Sequence, residues 1–117
     1  MASAEQDKER AHQRRGVLAE LKVFEAGVAE PLGVMEDLSL GGFRLATPKV
    51  IAVGVRKQLH VPLPEKFGKG DPLAGEAECR WLRANPKGPG FQCGFEFSEA
   101  TASALAPLLN TILRQLP

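Results

Sequence analysis

Apolar positions recur at every second residue through most of this chain. From Val17, the residues Val17, Ala19, Leu21 and Val23 alternate with Leu18, Glu20, Lys22 and Phe24, which is the period of a strand with one buried face. Gly27, Pro31 and Gly33 then supply a turn, and a second strand is expected at about Gly33–Asp37. It runs into Leu38-Ser39-Leu40-Gly41-Gly42, where paired glycines permit a positive φ and a close backbone approach. A third strand, Phe43–Ala46, follows at once, so a tight hairpin or bulged corner is expected there. Pro48 ends it. Alternation resumes over Val53–Leu63, with Val53, Val55, Leu59, Val61 and Leu63 on one face and Lys57 interrupting that face as a rim residue. Residues 64–72 are turn chemistry throughout, a fifth strand covers about Leu73–Leu82, and the Pro/Gly loop Asn85–Gly90 links it to a sixth, about Phe91–Phe97. Six short strands with regular turn punctuation predict a mainly-β fold, a small antiparallel barrel that is closed or nearly so.

Two segments depart from this period. Leu105, Leu108, Leu109, Ile112 and Leu116 recur at three and four residues, one face of a helix. Pro107 lacks the donor for an undisturbed helix through Ser103. A short turn near Glu99–Leu105 is therefore expected, with the helix starting at about Ala106 and Pro107 in its first turn. Its apolar face suits an open barrel end or a second protomer. At the other terminus, residues 1–15 carry no large apolar side chain after Met1. Such a segment cannot offset its ordering entropy by burial and is expected to be a flexible arm ahead of a barrel-and-helix domain over residues 16–117.

Composition narrows the function more than the fold. At 117 residues the chain fits one domain. Fifteen Lys and Arg against fourteen Asp and Glu give a formal charge of +1, which disfavours a general binder of DNA or RNA. No apolar run approaches the roughly 18 residues of a membrane span, and the charged N-terminus has no apolar core of a secretory signal, so a cytoplasmic location is expected. Cys79 and Cys93 lie in apparent strands without metal-ligand spacing and read as buried free thiols, with neither a metal nor a cofactor expected. His12 and His60 have no nucleophile or carboxylate placed with them, so no enzyme constellation is visible.

Two short motifs carry the candidate chemistry. Arg10-Ala11-His12-Gln13-Arg14 is an RxxxR, extended by Arg15, and Asp37-Leu38-Ser39-Leu40-Gly41-Gly42 is a DxSxxG. At this composition an RxxxR is expected by chance roughly 0.5 times and a DxSxxG roughly 0.01 times, so the second motif discriminates. Together, and in this order, they resemble the PilZ domain family, bacterial receptors for cyclic di-GMP. Arg80-Trp81, the 85–90 loop and Gly94-Phe95-Glu96-Phe97 resemble the family's closing strands, and the resemblance covers about residues 9–115. It implies a six-stranded barrel with a C-terminal helix. It also implies ligand contacts from Arg10, Arg14, Asp37, Ser39 and Gly42, with Arg15 adding a guanidinium and Gly41 easing close approach. The neighbourhood of Glu9 is associated in the family with one bound ligand or a stacked pair.

The residue types suit that ligand. Cyclic di-GMP offers two phosphates, two flat purines and O6/N7 acceptor edges. Arginine pairs with the first, stacks on the second and forks onto the third. Asp37 suits the guanine N1–H and N2–H₂ donors, Ser39 a phosphate or the turn itself, and Gly42 an approach that a Cβ would block. Trp81 and Phe95 or Phe97 are read as barrel core rather than stacking platforms, and Arg44, just past the motif, is left open between reaching the ligand and facing only solvent. The expected mechanism is an arm tied down by ligand, reshaping a surface that a downstream effector protein reads, in a monomer or homodimer. The alternatives are a PilZ-like protein-interaction module that does not bind nucleotide, and an OB-like single-strand binder. The second fits poorly with 6% aromatic content.

Overall fold

Six strands close into an antiparallel barrel in the order β1-β2-β3-β6-β5-β4, in a computed structural model that describes residues 21–67 and 72–116. The strands are β1 (Lys22–Glu25), β2 (Gly33–Leu38), β3 (Gly42–Thr47), β4 (Arg56–Val61), β5 (Leu73–Ala84) and β6 (Phe91–Phe97), followed by one helix, α1 (Glu99–Gln115). A 3-10 turn, Glu65–Phe67, lies between β4 and β5. The period-two reading therefore holds as a fold. Leu21, Val23, Met35, Leu45, Leu59, Val61, Cys79, Cys93 and Phe95 point inward and form one core with Leu109 and Ile112 of α1. The expected arm over residues 1–15, and the part of the first predicted strand before Leu21, lie outside the described residues.

Closure leaves the central strands without free edges, and only local irregularities break the alternation. Two of them shape the outer surface of the barrel. The β2–β3 register shifts between Met35 and Asp37, and the β5–β6 register shifts between Cys79 and Trp81. Each bulge inserts one extra residue, Glu36 and Arg80, so the side chains beyond it change face. Met35 and Leu38 are both buried although three residues apart, and Cys79 is buried while Arg80 and Trp81 are exposed.

The helix differs from its expected start. It begins at Glu99 and runs through Pro107 without interruption. Ser98 caps it, its Oγ accepting from the Thr101 amide at 3.2 Å, a contact of the kind that contributes about 1 kcal/mol. The Thr101 hydroxyl in turn accepts from the Glu76 amide at 3.0 Å, and the Ser98 amide donates to the Glu76 carbonyl at 3.0 Å. These bonds fasten the first turn to β5, where Gly75 leaves room for Thr101. Pro107 and Ser103 both face solvent, so the carbonyl that loses its helical donor is open to water and the proline is tolerated. The apolar stripe packs on the chain's own barrel, with Leu109, Ile112 and Leu116 buried.

The β3–β4 connection is the other departure. Gly54 adopts a φ of +94°, and a turn closes between Ala52 and Val55. That turn takes Val53 and Val55 out of the strand, so β4 starts only at Arg56. Val53 is 62% exposed instead of sharing the inward face with Leu59 and Val61. Both cysteines are free and buried. Burial raises the Cys79 thiol and pushes that of Cys93 up to about 12, so neither is a ready nucleophile.

Candidate functional site

Strand register assembles the site. Asp37 is paired with Arg44, Arg44 with Gly94, and Gly94 with Trp81. These four residues therefore form one row across β2, β3, β6 and β5. With neighbouring strands about 4.8 Å apart, the row is roughly 14 Å long. Its inward neighbours Leu38, Phe43, Cys93 and Phe95 are buried, so the row lies on the outer surface of the barrel. It is the floor of an open groove of about 530 Å³, within the volume range of ordinary ligand sites.

The β2–β3 corner forms one wall, and Asp37, Ser39, Gly41 and Gly42 all line the groove. The Asp37 carboxylate accepts from the Leu38 amide at 2.9 Å. Ser39 closes the turn twice: its amide donates to the Gly42 carbonyl at 2.9 Å, and its Oγ accepts from the Gly41 amide at 3.3 Å. Neither Gly41 nor Gly42 has the positive φ that the paired glycines suggested; among the described glycines that conformation belongs to Gly27, Gly54 and Gly90. Gly42 is required for a different reason. A Cβ there would run into the backbone of β6 at Phe95 and Glu96, whereas a Cβ on Gly41 would meet nothing.

Trp81 forms the opposite wall and corrects the core reading of this residue. It is 38% exposed, and its indole lies over Gly94, where any Cβ would collide with the ring. The Arg80 bulge rotates it outward from the face that Cys79 occupies. Phe95 and Phe97 do belong to the core, with Phe43 stacked on Phe95 at 5.3 Å. The core reading rested on the general burial of aromatic side chains, and the bulge that turns Trp81 outward leaves no mark in hydropathy. The available signal was Gly94, a glycine inside an apolar strand, which marks a close approach by another group.

A polar relay ties the two walls together. The Arg83 guanidinium sits over the Trp81 ring at 5.2 Å and donates through Nε to Gln92 Oε1 at 2.9 Å. Gln92 Nε2 donates to Glu36 Oε1 at 2.8 Å, and Glu36 faces Arg44 Nε at 3.5 Å. Gln92 is on the outer face yet only 2% exposed, because Glu36 and Arg83 close over it. At the rim, Arg80 lies 3.5 Å from Glu78 and 3.9 Å from Glu96. The groove thus offers an aromatic face, the guanidiniums of Arg44 and Arg80, and the carboxylates of Asp37 and Glu96, which suits a flat, polar ligand with both donors and acceptors. Arg10, Arg14 and Arg15 fall outside the described residues. Among the described residues, no cluster of His, Cys, Asp or Glu is arranged to hold a metal ion, and no helix is long and apolar enough to cross a membrane.

Comparison with known proteins adds to the geometry. The PilZ domain family model matches residues 8–114. No curated protein matches the chain significantly. Among solved structures, the chain is similar to the Bacillus subtilis inhibitor of motility (MotI/DgrA), with 23% identity and a TM-score of 0.56 over 81% of this chain and 45% of that one. It is also similar to a Xanthomonas campestris protein described as a tetrameric PilZ domain self-assembled through a helical bundle. There the identity is 17% and the TM-score 0.53, over 97% of this chain and 61% of that one. The chain thus spans about half the length of these two proteins.

Proposed function

The chain belongs to the PilZ domain family, and on that premise we propose that it is a cyclic di-GMP receptor that signals to a partner protein through its N-terminal arm. The groove carries this reading, above all the meeting of the DxSxxG corner with the Trp81 face across a floor of backbone at Gly94. One guanine stacks on the indole. Asp37 accepts from guanine donors, Ser39 holds the corner in shape, Gly42 lets the corner pack against β6, and Gly41 lets a phosphate or base come close to the chain. Stacking of this kind contributes about 1–3 kcal/mol per base.

Arg10, Arg14 and Arg15 complete the site from the arm. The described chain begins beside the groove, since the Met35 amide donates to the Leu21 carbonyl at 2.9 Å and Asp37 is two residues further along the same strand. Arg14 precedes Leu21 by seven residues, or up to about 25 Å of extended chain. That reach spans the whole row from Asp37 to Trp81. The net charge of +1 gives little long-range attraction for a dianion, so the attraction is local to these guanidiniums. Ligand closes the arm over the groove, and the covered surface is what an effector recognises.

PilZ domains are in general receptor or adaptor modules rather than catalysts, and a structural neighbour is named an inhibitor of motility, a regulatory role that supports the same class here. The burial of Leu109, Ile112 and Leu116 against the chain's own barrel favours a monomer over assembly through the helix. Calorimetric titration of the full chain with cyclic di-GMP tests the proposal. Saturable binding that Arg14→Ala abolishes, with an unchanged melting curve, is expected; no heat of binding for the native chain overturns it.

A further inference from the structure

Arg44 stands outside both sequence motifs yet in the middle of the groove floor. Its neighbours in the row are Asp37 on one side and Gly94 on the other, and its side chain lines the groove. The side chain is 23% exposed, and its Nε is buried without a hydrogen bond among the described residues. Glu36 faces that atom at 3.5 Å, close enough to hold the charge but leaving the planar donor array incompletely used. Leaving a buried guanidinium donor incompletely matched costs free energy; Glu36 holds that inner atom, and the part of the side chain that lines the groove is what a ligand can meet.

The surroundings fix the geometry of that partner. Gly94, with no side chain, is all that separates Arg44 from Trp81 along the row, and the indole covers it. A base held against the indole in the groove therefore lies beside Arg44, two strands away in the same row. The relay through Arg83, Gln92 and Glu36 holds stacking face and guanidinium in one frame before anything binds. Arginine in the plane of a purine edge donates two parallel bonds to O6 and N7 of guanine, while adenine presents an amino donor where O6 would be.

We propose that Arg44 is a guanine-reading residue of the groove, forking onto the O6/N7 edge of the base stacked on Trp81. The inference rests on the cyclic di-GMP reading and adds to it a specificity contact supplied by the barrel rather than by the arm.

The test compares the native full chain with Arg44→Lys and Arg44→Ala by calorimetry with cyclic di-GMP, alongside melting curves. Lysine retains the charge opposite Glu36 but lacks the planar fork. Both variants are expected to bind about 10- to 100-fold more weakly than the native chain, the fold-change of a lost bidentate base contact, with lysine recovering little over alanine. If Arg44→Lys binds within about threefold of native, charge alone suffices and the base fork is refuted. Unchanged binding by Arg44→Ala refutes any ligand contact. Should the alanine variant fail to fold, the lysine variant decides. Failure of the native chain to bind overturns the receptor reading itself, an outcome distinct from either.

Discussion

The two adjacent glycines of the corner have opposite physical roles, and substituting alanine at each separates barrel packing from ligand access. A Cβ at Gly42 would come within 3.0 Å of Phe95 C and Glu96 Cα, and closer still to the Phe95 carbonyl oxygen. Ordinary contacts of this type are about 3.4 Å or more, and the obstacle is backbone, which cannot rotate away. Strands β3 and β6 must separate at the Gly42–Glu96 pair, straining the ladder that also receives the Phe97 amide on the Gly41 carbonyl at 2.8 Å. Overpacking typically costs about 1–3 kcal/mol, and a weakened ladder bond adds about 1, so Gly42→Ala should destabilise by about 2–4 kcal/mol. With an unfolding entropy of about 0.25 kcal/mol/K for a chain this long, the melting midpoint should fall by about 8–16 °C. Gly41→Ala meets open space and no positive φ, so its midpoint should stay within about 2 °C. Its added methyl faces the groove, and affinity for cyclic di-GMP should fall. Differential scanning calorimetry with a parallel binding titration reads both quantities. A Gly42→Ala variant as stable as native would refute the close-packing argument. A destabilised Gly41→Ala would show the corner to be strained in a way the geometry does not contain.

Other consequences can be checked separately. Trp81→Leu keeps an apolar cover over Gly94 but removes the π-face, so binding should weaken about 5- to 150-fold with little change in melting; equal affinity by calorimetry would exclude stacking. Pro107→Ala restores a helical amide opposite the Ser103 carbonyl on an exposed face. It should raise stability by about 1–3 kcal/mol, seen as a higher urea midpoint, and a lower midpoint would mean that the proline has a packing role. The Cys93 thiol is pushed from 9 to about 12 by burial, so the folded chain keeps a proton that the unfolded chain loses. The corresponding stability is complete below pH 9 and drains away as pH rises toward about 12. Cys93→Ala should flatten that alkaline slope in urea melts; an unchanged slope would assign it elsewhere, first to Cys79, whose thiol is also raised by burial.

The barrel was legible because its inward set obeys period two. Leu21, Val23, Met35, Leu45, Leu59 and Val61 are recognisable from spacing alone, and all are buried. Legibility failed wherever a local conformation changed parity. The Arg80 bulge turned Trp81 to the outside, and the Gly54 turn removed Val53 and Val55 from β4. Pro107 misled in the other direction, since its cost depends on which side of the helix faces water, a tertiary property. At the site, Asp37, Ser39, Gly41 and Gly42 were visible as a motif and do meet in one corner of the groove. Arg44, Arg80, Trp81 and Gly94 join them only through strand register, which no local pattern encodes.

The receptor reading is tested most directly by following the single indole N–H of Trp81 and the backbone amides by nuclear magnetic resonance during titration with cyclic di-GMP. Binding in the groove should shift the indole resonance together with the amides of Ser39, Gly41, Gly42 and Gly94, all saturating on one curve. Shifts confined to another face of the barrel, or a spectrum that cyclic di-GMP leaves untouched, would contradict it.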